Sequence, residues 1–127
     1  MAKAKQVTIV TGANGALGSA IAKRLEADGS AVIALERSKT GDAALQRDSE
    51  RLLRLRADTN DAKALAGALT RAESELGPVS GAVLTAGAWR GGHAFIEPES
   101  EADYRLVMDA NLESAQIALR ALLPRLV

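Results

Sequence analysis

The stretch VTIVTGANGALG, from Val7 to Gly18, decides the fold of this chain. Its first five residues form an apolar run that predicts a β-strand, and the apolar residues from Leu17 onward recur on one helical face. Between them, Gly12, Gly15 and Gly18 are spaced GxxGxxG. A glycine turn that leads from a strand into a helix N-terminus directs backbone N–H groups at one point, where they favour an anion such as a pyrophosphate.

Each glycine of this turn has a separate expected role. Gly12 permits the tight exit from the strand, Gly15 lets the backbone approach a ligand, and Gly18 lets helix and strand pack closely. Asn14 suits a turn because asparagine tolerates positive φ better than most residues. The alternative is an ordinary strand–turn–helix in which the glycines only punctuate the chain.

Composition limits the class of protein. A length of 127 residues predicts one domain, and the core must be aliphatic because 47% of the residues are hydrophobic but only 2% are aromatic. Sixteen basic residues balance sixteen acidic ones, so nucleic acid and membrane partners are not expected. The single histidine and the absence of cysteine argue against a metal site. No apolar run reaches the roughly 20 residues of a membrane span, and the short polar N-terminus is not a signal sequence, so we expect a cytoplasmic protein.

Strand and helix signals alternate along the rest of the chain. Further strands are expected over 31–35, 52–57 and 79–85, and further helices over 40–49, from the Asp58–Asp61 capping segment to Leu76, and from Pro98 to Leu123. The strand over 52–57 alternates leucine with arginine, which suits a sheet edge. The alternation predicts an α/β fold with a parallel sheet in the order 3-2-1-4 and helices on both faces. A ligand is expected beyond the carboxyl ends of strands 1 and 4.

Together these landmarks resemble the N-terminal portion of the short-chain dehydrogenase/reductase family, over nearly the whole chain. Thr11 to Gly18 resembles its glycine-rich turn in the TGxxGxxG form, and Asp58 resembles the aspartate that supports the adenine pocket. Thr85-Ala86-Gly87 resembles the NNAG element without its asparagines, and Asn111 resembles the helix asparagine of the catalytic tetrad. Residues 15–19 and 86–92 are most similar to the dihydropteridine reductases within this family.

The resemblance implies a Rossmann-like domain over residues 1–127 that is truncated relative to the family. In the family, the catalytic serine and the Tyr-x-x-x-Lys element lie in sequence that would follow Val127. Here Tyr104 is the only tyrosine, and Met108 stands four positions after it. Hydride transfer in this family needs a tyrosine acid beside a lysine, so we expect this chain to bind a cofactor without turning over a substrate.

The predicted site follows from the turn and from the resemblance. Glu36 ends strand 2, where an acid can accept hydrogen bonds from the ribose hydroxyls and repel a 2′-phosphate, whereas Arg37 can pair with that phosphate. NAD is therefore favoured and NADP is the alternative, although both side chains also suit a solvated strand end. The predicted cofactor-binding residues are Gly12, Asn14, Gly15, Ala16, Leu17, Gly18, Glu36, Arg37, Asp58, Ala86 and Gly87, and Asn111 is the one residue of catalytic type.

Several of these residues have a structural alternative. Asp58 can orient adenine or cap the following helix, and Gly87 can clear space for the cofactor or simply form a turn. Asn111 can serve structure as readily as catalysis. Trp89 can stack on a flat substrate ring, and His93 is expected to be a solvated loop residue.

Two functions remain open. The first is the NAD(P)-binding portion of an oxidoreductase of this type, and the second is a non-catalytic dinucleotide-binding or protein-interaction module. In either case the last helix is apolar around most of its circumference, so we expect it to mediate homo-oligomerisation.

Overall fold

The computed structural model describes residues 6–38 and 44–127. Five strands form one sheet: β1 Val7–Thr11, β2 Ala31–Arg37, β3 Ala44–Arg47, β4 Leu52–Ala57 and β5 Gly81–Leu84. Four α-helices accompany them: α1 Ala16–Ala27, α2 Ala62–Leu76, α3 Glu99–Met108 and α4 Ser114–Leu126. A π-helical turn, Asp109–Glu113, joins α3 to α4 and is called the π turn below.

The sheet has the order β3-β4-β2-β1-β5. The strands β4, β2, β1 and β5 are parallel to one another, which confirms the predicted order 3-2-1-4 for the parallel strands. β1 lies at the centre of this parallel block, and its side chains are buried on both faces, because all five of its residues are buried. A continuous apolar run is what such a strand requires.

Helices cover both faces of the sheet, as predicted. On one face, α1 packs its Ile21 and Leu25 against Val10 and Val32. On the other face, α2 and α4 bury a larger aliphatic cluster that includes Leu69 and the strand residues of the opposite pleat. Because successive side chains of a strand point to opposite faces of the sheet, the strand residues are divided between two separate cores.

Two predictions for the segment before β4 are wrong. Residues 44–47 form the strand β3, antiparallel to β4, rather than part of a helix over 40–49, and residues 40–43 lie outside the described residues. β4 is consequently not the sheet edge, because β3 covers it. Ser49 closes the hairpin, since its hydroxyl accepts hydrogen bonds from the N–H groups of Arg51 and Leu52, and Leu45 packs onto the core.

The sequence predicts one continuous helix from Pro98 to Leu123. The last helical segment instead extends from Glu99 to Leu126 and is interrupted by the π turn. Within the π turn, the side-chain amide of Asn111 donates to the carbonyl of Val107, and the hydroxyl of Ser114 donates to the carbonyl of Ala110. Side-chain donors that bind carbonyls of the preceding turn compete with the α-helical ladder and bend it.

The start of α2 separates the roles of two aspartates. Asp61 is the N-cap residue, and its side chain accepts hydrogen bonds from the N–H groups of Lys63 and Ala64 at 3.1 and 3.0 Å. Asp58 instead accepts from the N–H of Asn60, within the turn that precedes the helix. The capping alternative for Asp58 is therefore wrong.

None of the helices within residues 6–38 and 44–127 combines the length and the apolar character that crossing a membrane requires.

This division of roles predicts different stabilities for two matched variants. Asp61→Ala should lower the free energy of unfolding by about 1 kcal/mol, because two N–H groups of α2 lose their acceptor. Asp58→Ala removes a carboxylate of the same type without uncapping the helix, and it should cost less than half as much. Urea denaturation followed by circular dichroism measures both values. Equal losses from the two variants would contradict the assignment of the cap.

Candidate functional site

The turn after β1 is held by direct backbone contact with the segment after β5. Gly12 has a φ of +64°, in the left-handed region that favours glycine. A Cβ on Gly12 would lie 2.8 Å from both the N and the Cα atoms of Ala86. Both the conformation and the space therefore require glycine at this position.

The other two glycines bring the first turn of α1 against the same backbone. A Cβ on Gly18 would collide with the carbonyl oxygen of Gly12 and would lie 2.8 Å from the Oγ1 of Thr85. The N–H of Gly15 donates to the same Gly12 oxygen at 3.0 Å. The close packing that the sequence predicted for Gly18 is present.

The N-terminus of α1 has no side-chain cap. Gly15 is the N-cap residue, and the first turn of the helix contains no acidic residue. Asn14, Ala16 and Leu17 are exposed at this end of the sheet, with 65% of Leu17 accessible to solvent. The N–H groups of an uncapped first turn are available to an anionic ligand.

A pair of threonines, which the sequence analysis missed, joins the carboxyl ends of β1 and β5. The Oγ1 of Thr11 accepts hydrogen bonds from the N–H groups of Thr85 and Ala86 at 3.1 and 3.3 Å. The Oγ1 of Thr85 donates to the carbonyl oxygen of Thr11 at 2.6 Å. These bonds fix Ala86 next to the glycine turn. The sequence signal for this contact was a threonine at the end of each of two strands that were predicted to be parallel neighbours.

A cavity of about 800 Å³ opens at the same edge of the sheet. This volume is within the usual range for small-molecule and cofactor sites. The predicted residues Arg37, Ala86 and Gly87 line it, whereas the glycine turn adjoins it through Ala86. The rest of its lining was not predicted and consists of Thr59, Asn60, Ala88, Leu106, Asp109, Ala110, Glu113, Ser114 and Ile117.

Asn111 connects the loop after β5 to the π turn. Its Nδ2 donates to the carbonyl oxygens of Ala88 and Val107 at 2.6 and 2.7 Å. A Cβ on Gly87 would collide with the Oδ1 of Asn111. Gly87 is therefore needed to let this loop approach the helix, and the Asn111 amide has a structural role. Its catalytic role stays a prediction.

Glu36 and Arg37 lie on opposite faces at the carboxyl end of β2. Glu36 is 5% exposed, and its carboxylate binds the guanidinium groups of Arg54 and Arg56 from β4, at 2.5 and 3.1 Å. Arg37 is exposed and lines the cavity. The Glu36 carboxylate is held by these two arginines and is not part of the cavity lining, and its predicted ribose contact stays a prediction.

Arg54 also binds Asp48, which lies in the turn between β3 and β4. Its Nε and Nη2 donate to one Asp48 oxygen at 3.0 and 2.6 Å. The hydrogen bonds to Asp48 and then to Glu36 raise the pKa of the Arg54 guanidinium above its ordinary value. Arg54 and Arg56 are two residues apart on β4, and the register of β2 and β4 places both on the face of Glu36.

Asp58 lies beside the cavity, because Thr59 and Asn60, the next two residues, are part of its lining. Its Oδ1 accepts from the N–H of Asn60 at 2.9 Å. The side chain thus shapes the turn that borders the cavity, and its predicted contact with adenine stays a prediction.

A second ion-pair cluster fastens the loop after β5 to α3. Asp103 is 6% exposed, and its carboxylate binds Nδ1 of His93 at 2.7 Å and Nε of Arg90 at 2.8 Å. The hydrogen bond from His93, together with the positive charge of Arg90, lowers the pKa of the Asp103 carboxyl despite its burial. His93 is thus anchored rather than merely solvated. Trp89 is 81% exposed and is not part of the cavity lining.

No group of three or more histidine, cysteine, aspartate or glutamate side chains within the described ranges is arranged to hold a metal ion.

Comparison with known proteins establishes the family. The sequence model of the short chain dehydrogenases matches residues 6–127. The 3-oxoacyl-(acyl-carrier-protein) reductase MabA of Mycobacterium tuberculosis is 36% identical over 114 residues, which are 89% of this chain and 42% of MabA. The chain belongs to the short-chain dehydrogenase/reductase family, and it spans less than half the length of this curated relative.

Solved structures agree with this assignment. A dehydrogenase/reductase from Sinorhizobium meliloti superposes with a TM-score of 0.75 at 27% identity, over 97% of this chain and 50% of that protein. The aldohexose dehydrogenase of Thermoplasma acidophilum gives a TM-score of 0.72 at 28% identity, over 97% of this chain and 45% of that protein. The fold is therefore that of the oxidoreductases of this family.

Proposed function

We propose that this chain is the nicotinamide-dinucleotide-binding portion of an oxidoreductase of the short-chain dehydrogenase/reductase family. The observation that carries the proposal is the glycine turn after β1, in which Gly12 packs directly against Ala86 and Gly18 against Gly12, so that a Cβ on either glycine would collide with backbone and the uncapped start of α1 is held at this edge of the sheet. The turn adjoins a cavity of cofactor size at the carboxyl ends of β1 and β5, where ligands of such sheets bind.

The residues present fit a dinucleotide. The uncapped N–H groups at the start of α1, near Asn14 to Leu17, suit the pyrophosphate. We assign Arg37 and Asp58 to the adenosine side. Ala86 and Gly87 expose backbone rather than bulky side chains along the other part of the cavity. When bound, a nicotinamide cofactor supplies the hydride acceptor or donor. The preference for NAD that Glu36 suggested stays a prediction, with NADP as the alternative.

Binding without turnover is the activity that we propose for these residues alone. Residues 1–127 contain no Tyr-x-x-x-Lys element, and Tyr104 lies 64% exposed on α3. We propose that they form one dinucleotide-binding domain, and we assign no substrate. Their cytoplasmic location also stays a prediction.

We further propose that the chain self-associates through α3, the π turn and α4. Large apolar side chains are exposed along this segment: Tyr104, Leu112, Leu119 and Leu123. Exposed apolar patches of this kind commonly mark protein–protein contacts. Sedimentation velocity at micromolar concentration should show a dimer or larger species, and Leu112→Glu should shift it toward the monomer. A monodisperse monomer of the unaltered chain would rule out this proposal.

A cofactor titration tests the proposed function. NADH and NADPH fluorescence should increase on addition of the chain, and at least one of them should bind with a Kd below 1 mM, equivalent to about −4 kcal/mol. Gly18→Ala should abolish binding, because the new Cβ displaces the Gly12 carbonyl.

The matched control is Gly67→Ala in α2, where a Cβ would meet nothing within 4 Å. This variant should bind as the unaltered chain does and should be up to about 1 kcal/mol more stable. If neither dinucleotide binds at millimolar concentration, the dinucleotide-binding function is excluded and a protein-interaction module remains.

A further inference from the structure

An exposed apolar turn lies directly before α3. Phe95 and Ile96 are 95% and 92% exposed, and they are the two central residues of this turn. The N–H of Glu97 donates to the carbonyl of Ala94 at 2.9 Å, and the Glu97 carboxylate accepts from the N–H of Ala94 at 2.9 Å. Contact of large apolar side chains with water is unfavourable, so burying them against a partner favours association. Phe95 and Ile96 are called the apolar tip below.

The apolar tip is anchored to α3 from both sides. The hydroxyl of Ser100, in the first turn of α3, donates to the carbonyl of Phe95 at 2.9 Å. On the other side of the tip, Nδ1 of His93 binds the buried carboxylate of Asp103 at 2.7 Å. A backbone that is already ordered loses less conformational entropy when it binds, so the tip is preorganised for contact with another surface.

Negative charge lies beside the apolar tip, at the start of α3. Glu97, Glu99 and Glu101 are all exposed. Glu101 pairs with Arg105, whereas Glu99 makes no ion pair or side-chain hydrogen bond within residues 6–38 and 44–127. An apolar centre beside negative charge favours a partner that is apolar and positively charged, and it disfavours an anionic membrane.

The opposite combination occurs on α4. Leu119 and Leu123 are 38% and 49% exposed and share one face of the helix, with the exposed Arg120 beside Leu123. Residues 114–127 contain two arginines and no acidic residue. Arg125 is held by an ion pair with α2, whereas Arg120 makes no ion pair with any residue that the structure describes. Leu119, Arg120 and Leu123 are called the α4 stripe below.

We propose that the apolar tip of one copy of this chain docks on the α4 stripe of a second copy, so that Glu99 faces Arg120 across the contact. The chain supplies both halves of this interface, which match in apolar character and are opposite in charge. This inference rests on the self-association proposed above and is independent of dinucleotide binding. Because two different surfaces meet, the contact is heterologous and can repeat from copy to copy.

Mixing two variants tests this pairing of surfaces, with sedimentation velocity at micromolar concentration as the measurement. Phe95→Asp alters the tip and Leu123→Asp alters the stripe, so each variant alone should associate at least about tenfold more weakly than the unaltered chain. An equimolar mixture should form a dimer and nothing larger, because Phe95→Asp keeps its stripe and Leu123→Asp keeps its tip. Both variants should keep the circular dichroism spectrum of the unaltered chain, since both positions are exposed.

Charge reversal tests the contact between Glu99 and Arg120. Glu99→Arg and Arg120→Glu should each lower the association constant by about three- to tenfold, because like charges then face each other. The double variant should recover the original constant within about twofold, since opposite charges meet again. Arg71→Glu, which reverses an exposed arginine on α2, is the matched control and should leave the constant unchanged.

The outcomes distinguish this inference from the self-association on which it rests. If the unaltered chain associates but the mixture of Phe95→Asp and Leu123→Asp stays monomeric, docking of tip on stripe is overturned and self-association stands. A monomeric unaltered chain would overturn both. Binding of the unaltered chain, but not of Phe95→Asp, to phosphatidylcholine vesicles would assign the tip to a membrane surface and would also overturn the docking.

Discussion

The contact between Gly12 and Ala86 is the constraint on which the site depends. Gly12 takes a left-handed conformation, and its Cα lies so close to the backbone of Ala86 that no side chain fits between them. The same Gly12 carbonyl accepts from Gly15 and faces Gly18, so α1 starts directly above the end of β1. Two segments that are distant in the sequence, the glycine turn with the start of α1 and the segment after β5, thereby meet at one point.

Side-chain hydrogen bonds extend this contact to the far wall of the cavity. Thr11 and Thr85 hold the ends of β1 and β5 together, and Asn111 holds the carbonyl of Ala88 against the π turn. The glycine turn, the loop after β5 and the last helical segment consequently form a continuous hydrogen-bonded frame. A frame built largely of backbone suits a ligand that spans several strand ends, because few side chains must reorganise on binding.

The sequence was sufficient to predict the strands and the turn that have a strong local sequence pattern. The apolar runs and glycine spacing gave the parallel order and the turn, since buried parallel strands and close backbone approaches restrict composition directly. The strand β3 was missed because its four residues carry no apolar alternation, and only pairing with β4 stabilises them. The pairing of Glu36 with Arg54 and Arg56 depends on strand register, which becomes visible only once neighbours are known.

The location of the bound cofactor is the most direct test of this account, and amide chemical shifts of the ¹⁵N-labelled chain measure it residue by residue. On addition of NADH or NADPH, the largest shifts should fall on the amides of Gly12 to Gly18 and on those of Ala86 and Gly87, with smaller changes near Arg37. Shifts confined to the exposed loop around Trp89 and Phe95, with the glycine turn unchanged, would contradict the account.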